Sequence, residues 1–526
     1  MNIIESNRNL VRFAYQLAEQ ENDNDWKRGK SYATEKYIYP NQKSDAIHIV
    51  NKLKHKCMVN IIKRTKVGAD GLMIEIAKEL TTYPKDEYCI PPEHIFFITG
   101  MSNKKWEIDF KRKVPFCFQS NIFHHGQLSK LKSKLQVLYN ACIFIDEIDC
   151  GDGLFQSLHK LLESNNLLNI DFIIKNKIKF VLISATMSNE LREFKKWDKM
   201  YWDYYRMTIP DNYIGHRDFL RLGIIQPYYA LNTEENIDKW ICEDILERYT
   251  SDYRIHLVRT CKTFSYKLEQ KCKEHGILFK NHTHEERISD QEMDYLVTHL
   301  SNHLVIAIKG FYRRSNLIPN SYKLKIGCCI ERYAQYPDMN VMVQGLTGRM
   351  SGYWKSCIEN GHKTGPYRVD IESIEKYEDW YSNPFDYEEK NSKYSHRSNF
   401  ISPLVFQGSI NTKSTITIVK KRSFEEIKQW FQWLKYTNLS ILSLDEMNSI
   451  LAFKHKMKHK ICRGPNSMKP NSAGFYESTL RSIKKVYSCD EIERNSNCGL
   501  GKTYYRVYPC YKNIKDEKTI EWWLIF

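Results

Sequence analysis

The sequence predicts an α/β protein in which two tandem parallel-sheet domains are followed by a smaller C-terminal α+β domain. Between about residues 37 and 205, short apolar runs alternate with patterns of helical period, which is typical of strands and helices in a parallel sheet. A second set of this kind runs from about 225 to 370. Near the end of the chain, residues 414–419 and 505–508 alternate as strands do. A chain of 526 residues is also too long for a single hydrophobic core.

The same patterns predict where the domains begin and end. Residues 1–36 form an N-terminal helical extension, in which Leu10, Phe13, Ala14 and Leu17 recur at helical spacing. The predicted segments that follow are the first sheet domain at 37–205, the second at 206–370, a linker at 371–400 and an accessory domain at 401–526. The linker is predicted because its residues are rich in charge, Tyr, Ser and Asn.

The net charge favours a polyanionic partner. Lys and Arg number 79 against 63 Asp and Glu, which leaves a formal charge of +16 and a sequence pI of about 9.0. Nucleic acid, DNA or RNA, is the commonest partner of a basic protein of this composition. The alternative is charge that only keeps the surface solvated.

Cysteine usage and hydropathy bear on the compartment. The 15 cysteines follow no regular framework, and a chain of this length does not depend on disulfides. The sequence shows no apolar signal core at its start and no apolar run of 18 residues. We therefore expect a reducing location, cytoplasmic or nuclear, and no membrane partner. The high usage of Asn, Ile, Lys and Tyr is compatible with an A+T-rich genome such as that of a large DNA virus.

Adjacent carboxylates follow one of the predicted buried strands. Asp146 and Glu147 come directly after the apolar run 141–145, and Asp149 follows them. A parallel strand delivers such residues to the carboxyl edge of its sheet, where open α/β folds bind ligands. Because Mg²⁺ favours one or two carboxylates together with phosphate oxygens, this position suits Mg²⁺-assisted nucleotide hydrolysis. A second buried run at 180–183 leads directly into Ser184, Ala185 and Thr186.

The segments Asp146-Glu147-Ile148-Asp149 and Ser184-Ala185-Thr186 resemble motifs II and III of superfamily 2 helicases of the DEAD/DEAH type. Further segments match other motifs of this family in the same order. They are 39–42, which resembles the adenine-reading Q motif, 95–100 (motif Ia), 254–260 (motif IV), 304–314 (motif V) and 344–349 (motif VI).

The resemblance implies a mechanism and a set of residues. Two RecA-like domains would clamp a nucleic-acid strand and use ATP and Mg²⁺, with Asp146 holding the ion through the nucleotide. Asp146, Glu147 and Arg349 would be catalytic, and Gln42 would contact the adenine. The residues implied in coupling and nucleic-acid contact are Asp149, Ser184, Thr186, Arg313, Arg314 and Gln344.

The phosphate loop departs from the family pattern. Residues 63–71 lie between a predicted strand at 58–62 and a helix expected to start near Leu72. Of the G-x-x-x-x-G-K-[ST] pattern only Gly68 matches, since Lys63 replaces the first glycine, Ala69 the lysine and Asp70 the hydroxyl residue. We predict that Lys66, Gly68 and Gly71 bind ATP, with Lys66 or Lys63 reaching back into the site from the loop, and that the carboxylate of Asp70 opposes a triphosphate unless it binds a metal. The alternative is a loop that only connects a strand to a helix. Motif VI departs too, because Gly352 stands where the family has a second arginine.

Two functions remain open from these residues. One is a helicase-like, nucleic-acid-dependent NTPase. The other is a catalytically retired, helicase-derived protein that binds nucleic acid or acts as a scaffold. Replication, transcription or virion proteins are further possible partners. In the C-terminal region, Lys456, Lys458 and Lys460 are predicted to contact backbone phosphates, the alternatives being a metal site or a solvated helix.

Overall fold

The computed structural model describes residues 2–28, 37–101, 104–135, 138–150, 157–187, 191, 198–259, 262–312, 318–385, 418–421, 506–511 and 520–525. The chain divides into two compact units. The first unit holds every described residue up to 385, and the second holds the described residues from 418 onward.

The first sheet has six parallel strands in the order β3-β2-β4-β5-β1-β6. The strands are β1 (Met58–Ile62), β2 (Ile95–Thr99), β3 (Ile122–Phe123), β4 (Ala141–Asp146), β5 (Ile178–Ser184) and β6 (Trp202–Arg206). Strands β1, β2 and β4 are buried along their whole length, as expected when helices cover both faces of a parallel sheet. The α-helices of this part are Ile3–Lys27, Pro40–His55, Ala69–Thr82, Lys104–Lys113, Leu128–Leu135, Ser157–Ser164 and Ile170–Lys175.

The second sheet also has six parallel strands, in the order β10-β11-β9-β12-β14-β8. Its strands are β8 (Ile225–Pro227), β9 (Ile255–Arg259), β10 (Leu278–His282), β11 (Leu304–Ile308), β12 (Ile326–Ile330) and β14 (Tyr367–Val369). A separate antiparallel pair joins β7 (Tyr213–Ile214) to β13 (Gly352–Tyr353). The helices are His216–Arg221, Glu234–Trp240 with the π-helix Ile241–Leu246, Lys262–Glu274, Asp290–Thr298, Asn320–Lys323, Met339–Gln344, Leu346–Met350, Lys355–Glu359 and Ile371–Ser382.

These two sheets confirm the predicted fold class of two tandem RecA-like parallel-sheet domains. In the second unit, three described strands form an antiparallel sheet in the order β15-β17-β16. They are β15 (Ile418–Lys421), β16 (Arg506–Tyr511) and β17 (Ile520–Ile525). None of the helices within the described ranges is long and apolar enough to cross a membrane.

Two local expectations need correction. The start of the predicted linker is the helix Ile371–Ser382, because Ile374, Tyr377 and Trp380 recur at helical spacing and are buried. The segment was predicted to be a linker because its many charged residues outweighed these apolar positions in its composition. In the N-terminal helix, the buried side carries Val11, Ala14 and Tyr15 together with Arg8, whereas Leu10, Phe13 and Leu17 are exposed.

Candidate active site

The carboxylates lie at the sheet edge where the sequence predicted them. Asp146 is the last residue of β4, and Glu147 turns the chain with a left-handed φ of 51°. Their residues are only 5% and 4% exposed. Because buried carboxylates are costly unless they are paired, their partners decide what they can do.

Lys63 is the cation that pairs with both carboxylates. It follows β1 directly, and its Nζ lies 2.8 Å from Glu147 Oε1 and 3.4 Å from Asp146 Oδ1. The indole Nε1 of Trp106 donates to Asp146 Oδ2 at 2.8 Å. Burial raises the pKa of Asp146 to about 6, against the opposing effect of Lys63. Burial also disfavours the charge on Lys63, but Asp146 and Glu147 outweigh it and raise the pKa of this lysine.

Sequence reasoning placed Lys63 at the position of a lost glycine and named it, together with Lys66, as a lysine that could reach back into the site. Its pairing with both carboxylates was not predicted. A signal for Lys63 existed, since it follows one buried strand of the sheet whose other strands carry Asp146 and Ser184 at their carboxyl ends. Those ends meet at a single edge.

Asp149 joins the two predicted motifs to each other. Ser184 Oγ donates to Asp149 Oδ1 at 2.7 Å, and Thr186 Oγ1 donates to Asp149 Oδ2 at 2.8 Å. From the second domain, Gln344 Nε2 donates to Glu147 Oε2 at 3.0 Å and to Thr186 Oγ1 at 2.6 Å. Four of the predicted coupling residues therefore form one network with Glu147.

The loop at 63–71 has the backbone shape of an anion site. Lys66 and Gly68 both have left-handed φ angles, 58° and 91°, and Gly68 is the N-cap of the helix that begins at Ala69 rather than near Leu72. The backbone N–H groups of Lys66 and Gly68 donate to no acceptor within the described part of the chain. Left-handed turns with free N–H groups, followed by a helix N-terminus, are typical of phosphate-binding loops.

Gln42, predicted to contact the adenine, supports this loop. Its Nε2 donates to the carbonyl oxygen of Gly68 at 2.6 Å, and its Oε1 accepts from the backbone N–H of Tyr39 at 2.9 Å. A Cβ atom at Gly68 or Gly71 would lie 2.5 or 2.4 Å from the Gln42 amide. The two glycines of the predicted ATP-binding set are therefore required by the close approach of Gln42.

Asp70 opposes a bound anion less than the sequence suggested. Its Oδ2 lies 2.5 Å from Lys113 Nζ. Burial disfavours the charged carboxylate, but Lys113 outweighs this and lowers the pKa of Asp70. The charge of Asp70 is thus balanced by a lysine of the same domain.

Lys66 and Arg349 bring positive charge to the loop from the two domains. Lys66 has no hydrogen-bond or ion-pair partner among the residues that the structure describes. Burial, and then the nearby charge of Arg349, lower the pKa of Lys66 well below its usual value. Arg349, on the helix Leu346–Met350, is itself only 2% exposed. The two cations disfavour each other, and an anion placed near both would relieve that repulsion.

Lys323 occupies the space beside Gly352, where the family pattern has a second arginine. Its Nζ donates to the carbonyl oxygen of Ser351 at 2.6 Å and to Asn320 Oδ1 at 3.0 Å. A Cβ atom at Gly352 would lie 2.6 Å from this ammonium group. Burial and Arg349 lower the pKa of Lys323 to about 7. A basic residue that sequence reasoning missed thus lies beside the segment predicted to be motif VI, because Lys323 is distant from it in the chain.

The remaining predicted residues lie outside the described ranges. These are Arg313 and Arg314 of the motif V segment and Lys456, Lys458 and Lys460 of the C-terminal patch. The segment predicted to be motif IV contains β9, and Arg259 at the end of this strand pairs with Glu331 at 2.8 Å.

The donor set suits a Mg²⁺ ion only as part of a nucleotide complex. Within the described ranges, no group of three or more His, Cys, Asp or Glu residues is placed to hold a metal. Mg²⁺ bound with phosphates needs only one or two carboxylates, and Asp146 provides one at the edge of the loop. The residues therefore fit an ion that arrives with a nucleotide.

Comparisons with known proteins give similarity at the level of solved structures. No protein-family model and no curated protein matches the sequence. The chain is similar to S. cerevisiae Dbp5 bound to RNA and ADP BeF3, with 14% identity and a TM-score of 0.36 over 66% of this chain and 92% of that one. It is similar to a DEAD box protein from the hyperthermophile Methanococcus jannaschii, with 12% identity and a TM-score of 0.36 over 69% and 93% of the two chains. The DEAD-box helicase Mss116 bound to ssRNA and UDP-BeF matches with 13% identity and a TM-score of 0.31 over 66% and 69%.

Proposed function

We propose that this protein is a helicase-like, nucleic-acid-dependent ATPase whose phosphate site lies between the loop at 63–71 and Arg349. The observation that carries the proposal is the electrostatics of the loop. Free backbone N–H groups, a helix N-terminus and Lys66 surround a position that Arg349 approaches from the other domain. A polyphosphate would bring negative charge to the N–H groups and to both cations.

In this proposal, Lys63 contacts the phosphates in place of the lysine that the loop lacks at position 69. An ammonium group has three N–H donors, and the contacts with Asp146 and Glu147 use two of them. The third is available to a phosphate oxygen at the same sheet edge. Lys63 therefore links the phosphates to the carboxylates without a lysine at position 69.

Glu147 is the proposed base, and its present partners hold it in place. Its Oε1 accepts from Lys63, and its Oε2 accepts from Gln344 of the second domain. Release of Gln344 would free a lone pair of Oε2 for water, so movement of Gln344 would couple the second domain to hydrolysis. A bound Mg²⁺ would neutralise phosphate charge beside Asp146.

The proposal extends to nucleic acid, compartment and partners. The excess of 16 positive charges supports a DNA or RNA ligand, and the described cysteines are free thiols, which supports a reducing cytoplasmic or nuclear location. Replication, transcription or virion proteins are the proposed protein partners, with viral origin as part of the same proposal.

We expect Lys66→Ala to weaken Mg·ATP binding by at least about tenfold, since charge-assisted contacts contribute roughly 1.5–3 kcal/mol. The exposed Lys43 provides the matched control, Lys43→Ala.

Binding of phosphate should also raise the depressed pKa of Lys66. At a pH between the pKa of Lys66 in the free protein and its pKa in the complex, binding of Mg·ATP then takes up a proton. The affinity for Mg·ATP therefore falls as the pH rises through the pKa of the complex. Titration calorimetry over a series of pH values, in buffers of different ionisation enthalpy, measures this uptake.

Proton uptake that persists in Lys66→Ala would contradict the assignment of Lys66. Absence of Mg·ATP binding in the natural protein would instead support the second function, a retired nucleic-acid-binding protein. The observation that favours that alternative is the pair Ala69 and Asp70, which lack the amine and hydroxyl of a phosphate loop.

Nucleic-acid affinity should fall steeply with salt, because each phosphate contact releases condensed counterions. Between about 50 and 200 mM salt, we expect a linear decrease of log affinity with log salt concentration. Replacing Lys456, Lys458 and Lys460 by Ala should flatten the slope by roughly one unit per lost contact. Fluorescence anisotropy with labelled single strands measures both slopes, and a slope unchanged in the triple variant would remove this patch from the interface.

A further inference from the structure

The loop is bound to the second half of the chain by a buried ion pair of Arg64. Its Nη1 and Nη2 lie 2.5 and 2.6 Å from the two carboxylate oxygens of Glu378, on the helix Ile371–Ser382. The side chains are 7% and 12% exposed. The guanidinium also lies 3.5 Å from the ring centroid of Tyr381. A bidentate, stacked and buried arginine has one geometry, so this contact fixes the position of Arg64.

Two tyrosine hydroxyls hold the next carbonyl groups of the loop. Tyr213 donates to the carbonyl oxygen of Thr65 at 2.7 Å, and Tyr353 donates to that of Val67 at 2.6 Å. In a trans peptide the carbonyl and the following N–H point in opposite directions. Fixing these carbonyls therefore turns the N–H groups of Lys66 and Gly68 to the other side, which is the side of the proposed phosphate site.

The backbone of the loop needs such support. A left-handed φ at a non-glycine residue such as Lys66 is unfavourable and persists only where surrounding contacts impose it. Within the loop itself, the long turn bonds from Val67 N–H to Arg64 and from Leu72 N–H to Gly68 span 3.5 and 3.4 Å. These weak bonds leave the shorter contacts of Gln42, Glu378, Tyr213 and Tyr353 as the stronger restraints, and of these Gln42 alone comes from the helix Pro40–His55 of the first domain.

We propose that Arg64 and Glu378 are positioning residues, which hold residues 64–68 in the anion-binding conformation only while the helix Ile371–Ser382 is packed on the loop. A phosphate loop built in the usual way is positioned by its own strand and helix. Here the segment after the second sheet completes it. The identity of the bound anion as a nucleotide phosphate rests on the proposed function. The effect of the ion pair on the conformation of the loop does not depend on it.

Hydrogen exchange tests the positioning directly. We expect Glu378→Gln and Arg64→Met each to accelerate exchange of the Val67 and Leu72 amides by about tenfold or more, because one ion pair restrains both. The double variant should exchange at the rate of either single variant, since the same interaction is lost. Glu375→Gln is the control, because Glu375 is an exposed acid of the same helix. Exchange in β4 reports whether the first sheet itself has loosened.

Measurements of ATP hydrolysis on the same full-length variants separate the positioning role of the ion pair from the proposed ATPase function. Glu378→Gln should raise the KM for Mg·ATP by about tenfold with kcat changed by less than about threefold, because binding must then order the loop. Loop exchange equal to that of Glu375→Gln would overturn the positioning role, whatever the protein does with ATP. Accelerated loop exchange in a protein that binds no Mg·ATP would support the positioning role while contradicting the proposed function.

Discussion

Replacing Arg349 by glutamine should reduce the kcat of ATP hydrolysis by about 10³-fold or more, with nucleic-acid binding retained. An arginine that stabilises the charge of a transferring phosphoryl group is worth about 10³ to 10⁵ in kcat. Arg349 suits this role because it is buried on the second domain and lies close enough to lower the pKa of Lys66 on the first. Single-turnover kinetics with saturating Mg·ATP measures the change.

Arg217→Gln is the matched control, since Arg217 is an exposed arginine of the same domain. Arg349→Lys should give an intermediate rate, because it keeps the charge but loses the planar fork. A kcat of Arg349→Gln within about threefold of the natural protein would exclude Arg349 from hydrolysis.

Replacing Lys63 by methionine should lower the free energy of unfolding by about 3–5 kcal/mol, because it leaves two buried carboxylates without their cation. The folded protein can respond by protonating Asp146, whose pKa is already raised to about 6. A carboxylate with a raised pKa makes the folded state bind more protons, so stability falls as pH rises from the unfolded pKa through the folded one. The defect should therefore be larger at pH 8 than at pH 5. Chemical denaturation at both pH values measures it.

The triple variant with Lys63→Met, Asp146→Asn and Glu147→Gln should regain much of the lost stability, since it removes the buried charges together. Equal stability of Lys63→Met and the natural protein at pH 8 would mean that the ion pair contributes nothing to the fold.

Local patterns in the sequence predicted the strands that carry the site. The apolar runs before Asp146 and Ser184 became β4 and β5, and the run before Lys63 became β1. The pairing of Lys63 was not predicted, because it depends on strand order: β5 lies between β4 and β1. Neighbouring strands in a sheet are set by the packing of the whole domain and not by local period.

The other missed contacts have the same origin. Asp70 meets Lys113, 43 residues away, and Lys323 meets the carbonyl of Ser351, 28 residues away. In both cases the sequence showed a departure from a motif, and the compensating residue came from another element. Gln42 was found from its motif, but its role against Gly68 follows from a hydrogen bond that only the folded loop provides.

The partners of the loop contacts are far apart in the sequence, and this separation limits the order in which parts of the protein can fold. The strands of the first sheet all lie before residue 207. By contrast, the partner of Val67 is Tyr353, 286 residues later in the chain, and the partner of Arg64 is Glu378, 314 residues later. Contacts this far apart form late and slowly during folding, and during synthesis they cannot form until the second residue has left the ribosome. The pair of Lys63 and Glu147, only 84 residues apart, is available much earlier. The growing chain can thus neutralise its buried acids well before its phosphate loop takes final shape.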